Sequence, residues 1–158
     1  MGHLSEMSYA EFGKLRFLDF FPKTEYYSED EVGGTECGIG LACDYGYGPT
    51  AFSSPFSAKN QTAEIMLDFD NACPEKEGNA LLRHLGLELR MGMAFADVKQ
   101  SLGIPTEEES DQTYLRYIVG KRWVYYLDCF VREHGGLFRV WICRKDLADE
   151  ASNRSQED

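Results

Sequence analysis

The clearest hydrophobic pattern along the chain is helical and lies between Gly92 and Pro105. Phe95, Val98 and Leu102 recur at the spacing of one helical face, and the positions between them include charged and polar residues. Gly103 and Pro105 predict where this helix ends, because glycine favours helix stops and proline cannot continue a helix. The segment is therefore predicted to be an amphipathic helix that packs on a core.

Aromatic and branched residues in short alternating runs predict an antiparallel sheet. Three such runs, Thr113 to Val119, Arg122 to Val131 and Leu137 to Cys143, are joined by connections short enough for hairpins and predict a three-stranded meander. Ala63 to Phe69 predicts another strand, and Glu75 to Leu85 predicts a second helix. The predicted fold class is α+β, an antiparallel sheet with one or two helices packed on one face.

The N-terminal third is less regular. Leu15 to Phe21 predicts a short strand, and Cys37 to Asp44 a second one. Asp44 to Pro55 alternates aromatic residues with glycines and predicts an exposed loop. Two interpretations of this loop stay open: Tyr45 and Tyr47 form an adaptable contact surface for a partner, or the loop lies back on the core.

Composition limits the size and the class of partner. The chain has 158 residues, 43% of them hydrophobic, which predicts one α+β domain over residues 1–146. Residues 147–158 are polar and predict a disordered tail. The formal net charge of -11 repels nucleic-acid phosphates and anionic lipid surfaces, so neither nucleic acid nor membrane is an expected partner. A basic protein would be attracted, although the acidity is equally explained as an aid to solubility.

The chain carries few signs of a cofactor or a metal site. Met1 to Lys14 lacks the pattern of a secretory signal and no stretch has the length of a membrane helix, which predicts a cytoplasmic protein. The five cysteines are scattered and odd in number, which predicts reduced thiols. His3, His84 and His134 are far apart in the sequence, so we predict no metal site, and no cofactor is expected.

A short motif resembles a known family. Gly92-Met93, Asp97-Val98 and then Leu102 to Pro105 resemble the helix-and-turn of the small α+β domains related to the outer-membrane assembly lipoprotein BamE and to β-lactamase-inhibitor proteins. The resemblance covers Gly92 to Cys143 and implies a helix-on-sheet binding module. In those families the motif is structural: glycine opens the helix, valine and leucine pack it on a sheet, and Gly-x-Pro turns the chain toward the first strand. We expect the chain to depart from the lipoprotein pattern, because the sequence predicts no signal peptide with a cysteine to acylate.

Period-two alternation divides the meander into two faces. The predicted core face is nearly all apolar and consists of Trp123, Tyr125, Leu127, Cys129, Val131, Phe138, Val140 and Ile142. The opposite face mixes rings with charges and consists of Arg122, Tyr126, Asp128, Phe130, Arg139 and Trp141. Exposed tyrosine, tryptophan and arginine commonly anchor protein interfaces, so Tyr126, Asp128, Arg139 and Trp141 are the main predicted partner-binding residues. The alternative is that the N-terminal strands pack on this face and that Arg139 pairs with Asp128 across the strands.

Other polar groups give weaker indications. The acidic run Glu107 to Asp111 is either a contact for a basic partner or a solvated connection. His134 follows Glu133 in a glycine-rich turn, but the sequence contains no GxSxG motif to supply an oriented nucleophile. The leading hypothesis is a non-catalytic protein-binding module, and within that class an immunity or inhibitor protein that neutralises a toxin or enzyme. The alternatives are an accessory or scaffold domain of a secretion or envelope system, and then a small enzyme.

Overall fold

The computed structural model describes residues 3–25, 27–28, 35–36, 50–53, 61–70 and 73–157. Among these residues, eight strands form one antiparallel sheet, which four α-helices and two 3-10 helices accompany. The strands are β1 (Tyr27–Ser28), β2 (Thr35–Glu36), β3 (Thr50–Ser53), β4 (Glu64–Asp68), β5 (Glu107–Glu108), β6 (Tyr114–Val119), β7 (Tyr125–Arg132) and β8 (Gly136–Arg144). The α-helices are α1 (Tyr9–Gly13), α2 (Glu75–His84), α3 (Phe95–Leu102) and α4 (Lys145–Glu157). The predicted α+β class is confirmed.

The sheet has the strand order β1-β2-β3-β4-β8-β7-β6-β5. Strands β6, β7 and β8 form the predicted antiparallel meander. The last strand of the meander, β8, also pairs with β4, so it lies between an N-terminal and a C-terminal group of strands. Strand β8 therefore joins two parts of the chain that are far apart in sequence.

The inner face of the sheet carries the hydrophobic core. Tyr125, Leu127 and Cys129 of β7 are fully buried there, and Val140 and Ile142 of β8 lie directly opposite Cys129 and Leu127. The same rows continue into β4, where Leu67 pairs with Val140 and Ile65 with Ile142. The predicted alternation of buried positions along β7 and β8 is thus confirmed for these residues.

One predicted core position is wrong. Phe130 pairs with Arg139, but the next residue of β7, Val131, pairs with Leu137, so Phe138 is an extra residue in a β-bulge. After this bulge Leu137 takes the core position and is fully buried. Phe138 is only half-buried and lines a groove on the other side of the sheet.

Helices α2 and α3 form where the sequence predicts them. Leu81 and Leu82 of α2 are fully buried, and so is Val98 of α3. Phe95 and Leu102 are partly buried against the same core. Helix α3 ends at Gly103, whose φ of 88° lies in the region that favours glycine.

The motif that carries the family resemblance has a definite place in this fold. Helix α3 begins at Phe95, after the N-cap Ala94, so Gly92 lies before the helix rather than within it. The Gly92 amide donates to the Leu137 carbonyl, and the Leu137 amide donates to the Met93 carbonyl. A Cβ on Gly136 would lie 2.3 Å from the Gly92 carbonyl oxygen, so glycine is required where this segment meets the start of β8.

The predicted strand at Leu15 to Phe21 is wrong. Phe17–Asp19 forms a 3-10 helix, and the Phe17 carbonyl accepts from the amides of Phe20 and Phe21. Both Phe17 and Phe21 are buried, with ring centroids 4.9 Å apart. A tight turn brings these two rings into contact, whereas an extended strand would hold residues four positions apart at about 13 Å from each other.

Two other predictions need correction. Thr50–Ser53 is strand β3, although the sequence predicted an exposed loop over Asp44 to Pro55. Residues 147–157 belong to helix α4, although the sequence predicted a disordered tail. A polar segment can remain helical when its own charges pair, and Lys145 and Asp149 form such an i,i+4 pair with 2.6 Å between Nζ and Oδ2. The predicted strand at Cys37 to Asp44 lies outside the described residues, and the division into one domain stays a prediction.

We expect Val98→Asp to destabilise the protein by several kcal/mol, about 3 or more, because it places an unpaired carboxylate where the native side chain is fully buried. The matched control is Ile104→Asp in the turn after the same helix, where the side chain is 94% exposed. Urea unfolding of both variants measures the difference. Equal stability of Val98→Asp and the parent protein would contradict the packing of α3.

The buried thiol of Cys129 predicts a loss of stability at alkaline pH. Burial raises the pKa of Cys129 from 9.0 to about 12, and the neighbouring Asp128 charge adds to the effect. Between these pH values the unfolded chain releases a proton that the folded chain keeps, so stability falls as pH rises, by about 1.4 kcal/mol per pH unit. In Cys129→Ala this contribution should disappear. Urea unfolding under reducing conditions at several pH values above 9 should give a shallower slope for the variant, and parallel slopes would contradict the assignment.

Candidate functional site

The outer face of the sheet carries the predicted binding residues. The registers place three cross-strand rows on it, and together these define the outer face: Tyr114, Phe130, Arg139 and Asp68; Arg116, Asp128, Trp141 and Met66; Ile118, Tyr126, Cys143 and Glu64. Tyr126, Asp128, Arg139 and Trp141 therefore share one face, as period-two alternation requires. Tyr45 and Tyr47 lie outside the described residues.

Asp128 is the most deeply buried charge on the outer face, with its side chain 6% exposed. Its carboxylate accepts from Arg116 Nε at 2.7 Å, from Arg116 Nη2 at 3.0 Å and from the Tyr114 hydroxyl at 2.9 Å. The hydrogen bonds to Asp128 raise the pKa of Arg116, and burial raises the pKa of Tyr114, so both groups keep their protons. Both carboxylate oxygens of Asp128 accept hydrogen bonds, so this side chain has a structural role.

The alternative in which Arg139 pairs with Asp128 is wrong, and so is the expectation that Asp128 is at least partly exposed. Arg116 lies directly opposite Asp128 in β6, whereas Trp141 is its neighbour in β8. Arg139 instead lies opposite Asp68 of β4, and its Nη2 is 3.0 Å from Asp68 Oδ2. Each arginine pairs with the aspartate directly across from it, which is the closest cross-strand position available.

Tyr126 is held between a neighbouring strand and helix α4. Its hydroxyl donates to Asp149 Oδ1 at 2.6 Å, and this bond is the main reason that the pKa of Tyr126 is raised. The Arg116 guanidinium lies 4.1 Å from the centroid of the Tyr126 ring. Helix α4, rather than an N-terminal strand, therefore covers this end of the outer face.

The N-terminal segment packs on the inner face instead. The rings of Phe12 and Tyr125 lie 4.9 Å apart, and the Tyr125 hydroxyl donates to the Met7 carbonyl at 2.8 Å. Both contacts are at the core side of β7. The described residues therefore do not support the alternative in which N-terminal strands pack over the predicted binding residues.

At the other end of the outer face lies an open groove of about 630 Å³. We define the groove by its lining residues: Glu109, Thr113, Tyr114, Phe130, Val131, Arg132, Glu133 and Phe138. Tyr114 and Phe130 contribute adjacent rings with centroids 5.2 Å apart. The groove combines three aromatic rings with charged groups from two hairpin turns.

Two arginines pack against the rings of the groove. The Arg132 guanidinium lies 4.0 Å from the centroid of the Phe138 ring and forms an ion pair with Asp70. The Arg139 guanidinium lies 5.4 Å from the same centroid and 5.5 Å from that of Phe130. Arg139 thus connects the groove to the rest of the outer face.

The sequence pattern assigns Phe130 to the face that carries the groove and Arg139 to the adjoining surface, but it does not bring the other lining residues together. Tyr114 lies two residues before Arg116 in β6, so period-two alternation places both on the same face. The alternation in β6 is therefore sufficient to assign Tyr114 to the outer face. The sequence assigns Phe138 to the wrong face, because the bulge that turns it outward depends on the pairing of β7 with β8. Glu109 and Glu133 lie in turns, where alternation carries no information.

The other polar groups singled out in the sequence lie mostly in turns, and the structure gives the surroundings of each. His134 and Glu133 are exposed in the β7–β8 turn. In the acidic run, Glu107–Glu108 is strand β5, and Glu108 Oε2 is 3.2 Å from Lys99 Nζ. Within residues 3–157, excluding the undescribed gaps, no group of three or more histidine, cysteine, aspartate or glutamate side chains is placed to hold a metal ion. Nor is any helix of the described segments long and apolar enough to cross a membrane.

We expect Asp128→Asn to destabilise the protein by about 2–3 kcal/mol, because it leaves the partly buried Arg116 without its carboxylate. The matched control is Asp70→Asn, which removes the carboxylate from a more exposed pair with Arg132 and should cost less than about 1 kcal/mol. Urea unfolding at neutral pH measures both. Similar costs for the two variants would contradict the structural role of Asp128.

No family model matches the chain, and neither a curated protein nor a solved structure with significant similarity was found.

Proposed function

We propose that this chain is a non-catalytic protein-binding module whose contact surface is the groove together with the adjoining part of the outer face. The observation that carries the proposal is the open groove of about 630 Å³, which presents the rings of Tyr114, Phe130 and Phe138. Aromatic side chains in a concave, accessible surface bury a large area on binding at a small cost in side-chain entropy. Such groups are enriched among the anchors of protein interfaces.

The groove is better suited to contact than the other end of the outer face. There, Tyr126 is bonded to Asp149, and Asp128 accepts three hydrogen bonds from Arg116 and Tyr114. A partner that used these groups would first have to break those bonds, which costs free energy. In this proposal Tyr126 and Asp128 therefore stabilise the surface without contacting the partner. Arg139 lies next to the groove, and Trp141 lies in the middle row of the outer face.

The arginines beside the groove also suit a contact surface. Arg132 and Arg139 are held by Asp70 and Asp68, and each packs its guanidinium on an aromatic ring. A guanidinium fixed in this way offers a flat, preorganised surface, so little entropy is lost when a partner packs on it. Tyr45 and Tyr47 remain candidates on the sequence argument.

Within this class we favour an immunity or inhibitor protein that neutralises a toxin or enzyme. The size of 158 residues and the net charge of -11 suit a small protein that associates rapidly with a basic target. The alternative is an accessory or scaffold domain of a secretion or envelope system. Loss of the partner's activity in the complex would favour the inhibitor, and complex formation without that loss would favour the scaffold.

A photo-crosslinking amino acid at position 138 tests this proposal in the full chain. It should capture a partner, whereas the same group at position 104, where Ile104 is 94% exposed in the turn after α3, should not. With the purified partner, Phe130→Ala should raise Kd by about 30-fold, as expected for an anchor worth about 2 kcal/mol. Ile118→Ala at the far end of strand β6 is the control and should leave Kd nearly unchanged.

Three outcomes would contradict the proposal. The first is that the crosslinker at position 138 captures no partner. A partner that binds Phe130→Ala and the parent equally well does not use the groove, provided thermal melts show that the variant is folded. Turnover of a substrate by the isolated chain would show that the protein is an enzyme.

A further inference from the structure

The groove contains two carboxylates whose charge is not balanced by a positively charged side chain of the described residues. Glu109 and Glu133 both line it and both are exposed, and neither forms an ion pair with any residue that the structure describes. The contrast with Glu108 is informative. That residue is adjacent to Glu109 in sequence but is already paired with Lys99.

The arginines near the groove do not cancel this charge, because each has its own carboxylate. Arg132 pairs with Asp70, Arg139 with Asp68, and Arg116 with Asp128. The charges of these three arginine–aspartate pairs cancel, so the negative charges of Glu109 and Glu133 remain. The groove is therefore locally anionic, in a chain whose formal net charge is already -11.

The position of the two glutamates follows from the topology. Glu109 begins the turn that connects β5 to β6, and its amide donates to the Tyr114 carbonyl. Glu133 lies in the turn that connects β7 to β8. Tyr114 pairs with Phe130, so both turns are at the same end of the sheet and flank the aromatic rings.

We infer that the groove binds a basic segment of the partner protein, with a lysine or arginine side chain at Glu109 and Glu133 and an apolar side chain on the rings. Charge complementarity selects this occupant, since the excess charge of the groove is negative and its lining includes three aromatic side chains. The inference rests on the proposed binding function and adds the chemistry of the partner. An acidic segment would meet like charge at both turns.

Short synthetic peptides test the inference before any partner has been identified. The probe is an acetylated and amidated peptide of lysine, phenylalanine and glycine, compared with the same peptide in which glutamine or glutamate replaces lysine. Amide chemical shifts of the isotopically labelled full chain report the site of binding. The lysine peptide should shift the resonances of Glu109, Thr113, Tyr114, Phe130 and Glu133, and the other two peptides should bind far more weakly.

Charge variants then test the role of the glutamates. Glu109→Gln combined with Glu133→Gln should weaken binding of the lysine peptide about tenfold, because it removes two ionic contacts. Glu6→Gln combined with Glu25→Gln changes the net charge equally at exposed positions outside the groove and should change Kd by less than about twofold. The substituted glutamates are exposed, so folding is expected to be unaffected.

The possible outcomes separate this inference from the proposed function. Equal binding of the lysine and glutamine peptides, shifts confined to another surface, or equal effects of the two double variants would each overturn the inference. If a captured partner depends on Phe130 but the lysine peptide does not bind in the groove, the inference fails and protein binding stands. If the lysine peptide binds there and the crosslinker at position 138 captures no partner, the proposed function fails while the preference for a cationic segment is supported.

Discussion

The antiparallel pairing of β4 with β8 is the constraint on which the rest of the structure depends. It aligns Ile65 with Ile142 and Leu67 with Val140, which joins the core rows of the meander to an N-terminal strand. The same register aligns Asp68 with Arg139 on the opposite side. Because side chains alternate along a strand, a shift of one residue would expose these core residues and bury the ion pair. The hydrophobic inner face therefore fixes where the charges of the outer face meet.

That arrangement explains how two nearly buried aspartates are tolerated. A buried carboxylate is costly unless it is paired and hydrogen-bonded, and Asp68 and Asp128 both lie opposite an arginine. The Arg116 guanidinium in turn packs on Tyr126, and that of Arg139 lies near Phe130. Charge and aromatic surface thus stabilise each other across the strands. The outer face is a structured layer, and the carboxylates of Glu109 and Glu133, which form no ion pair among the described residues, lie at its end.

Local pattern and long-range pairing account for what could and could not be predicted from the sequence. The spacing of Phe95, Val98 and Leu102 was sufficient for α3, and alternation in β7 was sufficient to assign Tyr125, Leu127 and Cys129 to the core. The partner of Asp128 could not be found this way, because it depends on how β6 and β7 align. The strand prediction at Leu15 to Phe21 failed for a related reason, since aromatic content does not distinguish a strand from a 3-10 turn that packs Phe17 against Phe21.

The bulge in β8 is a feature of the candidate site that the sequence pattern does not predict, because it depends on how β7 and β8 pair. If β7 and β8 paired without interruption, Phe138 would share a face with Val140 and Ile142 and would belong to the core. The extra residue lets Leu137 fill the core position and leaves Phe138 half-buried, where it lines the groove and its ring packs against Arg132. A bulge thereby converts a residue that the alternation assigns to the core into part of an open surface. Phe138 lines the groove because the regular pattern fails at this one position, so a prediction based on alternation places this residue on the wrong side of the sheet.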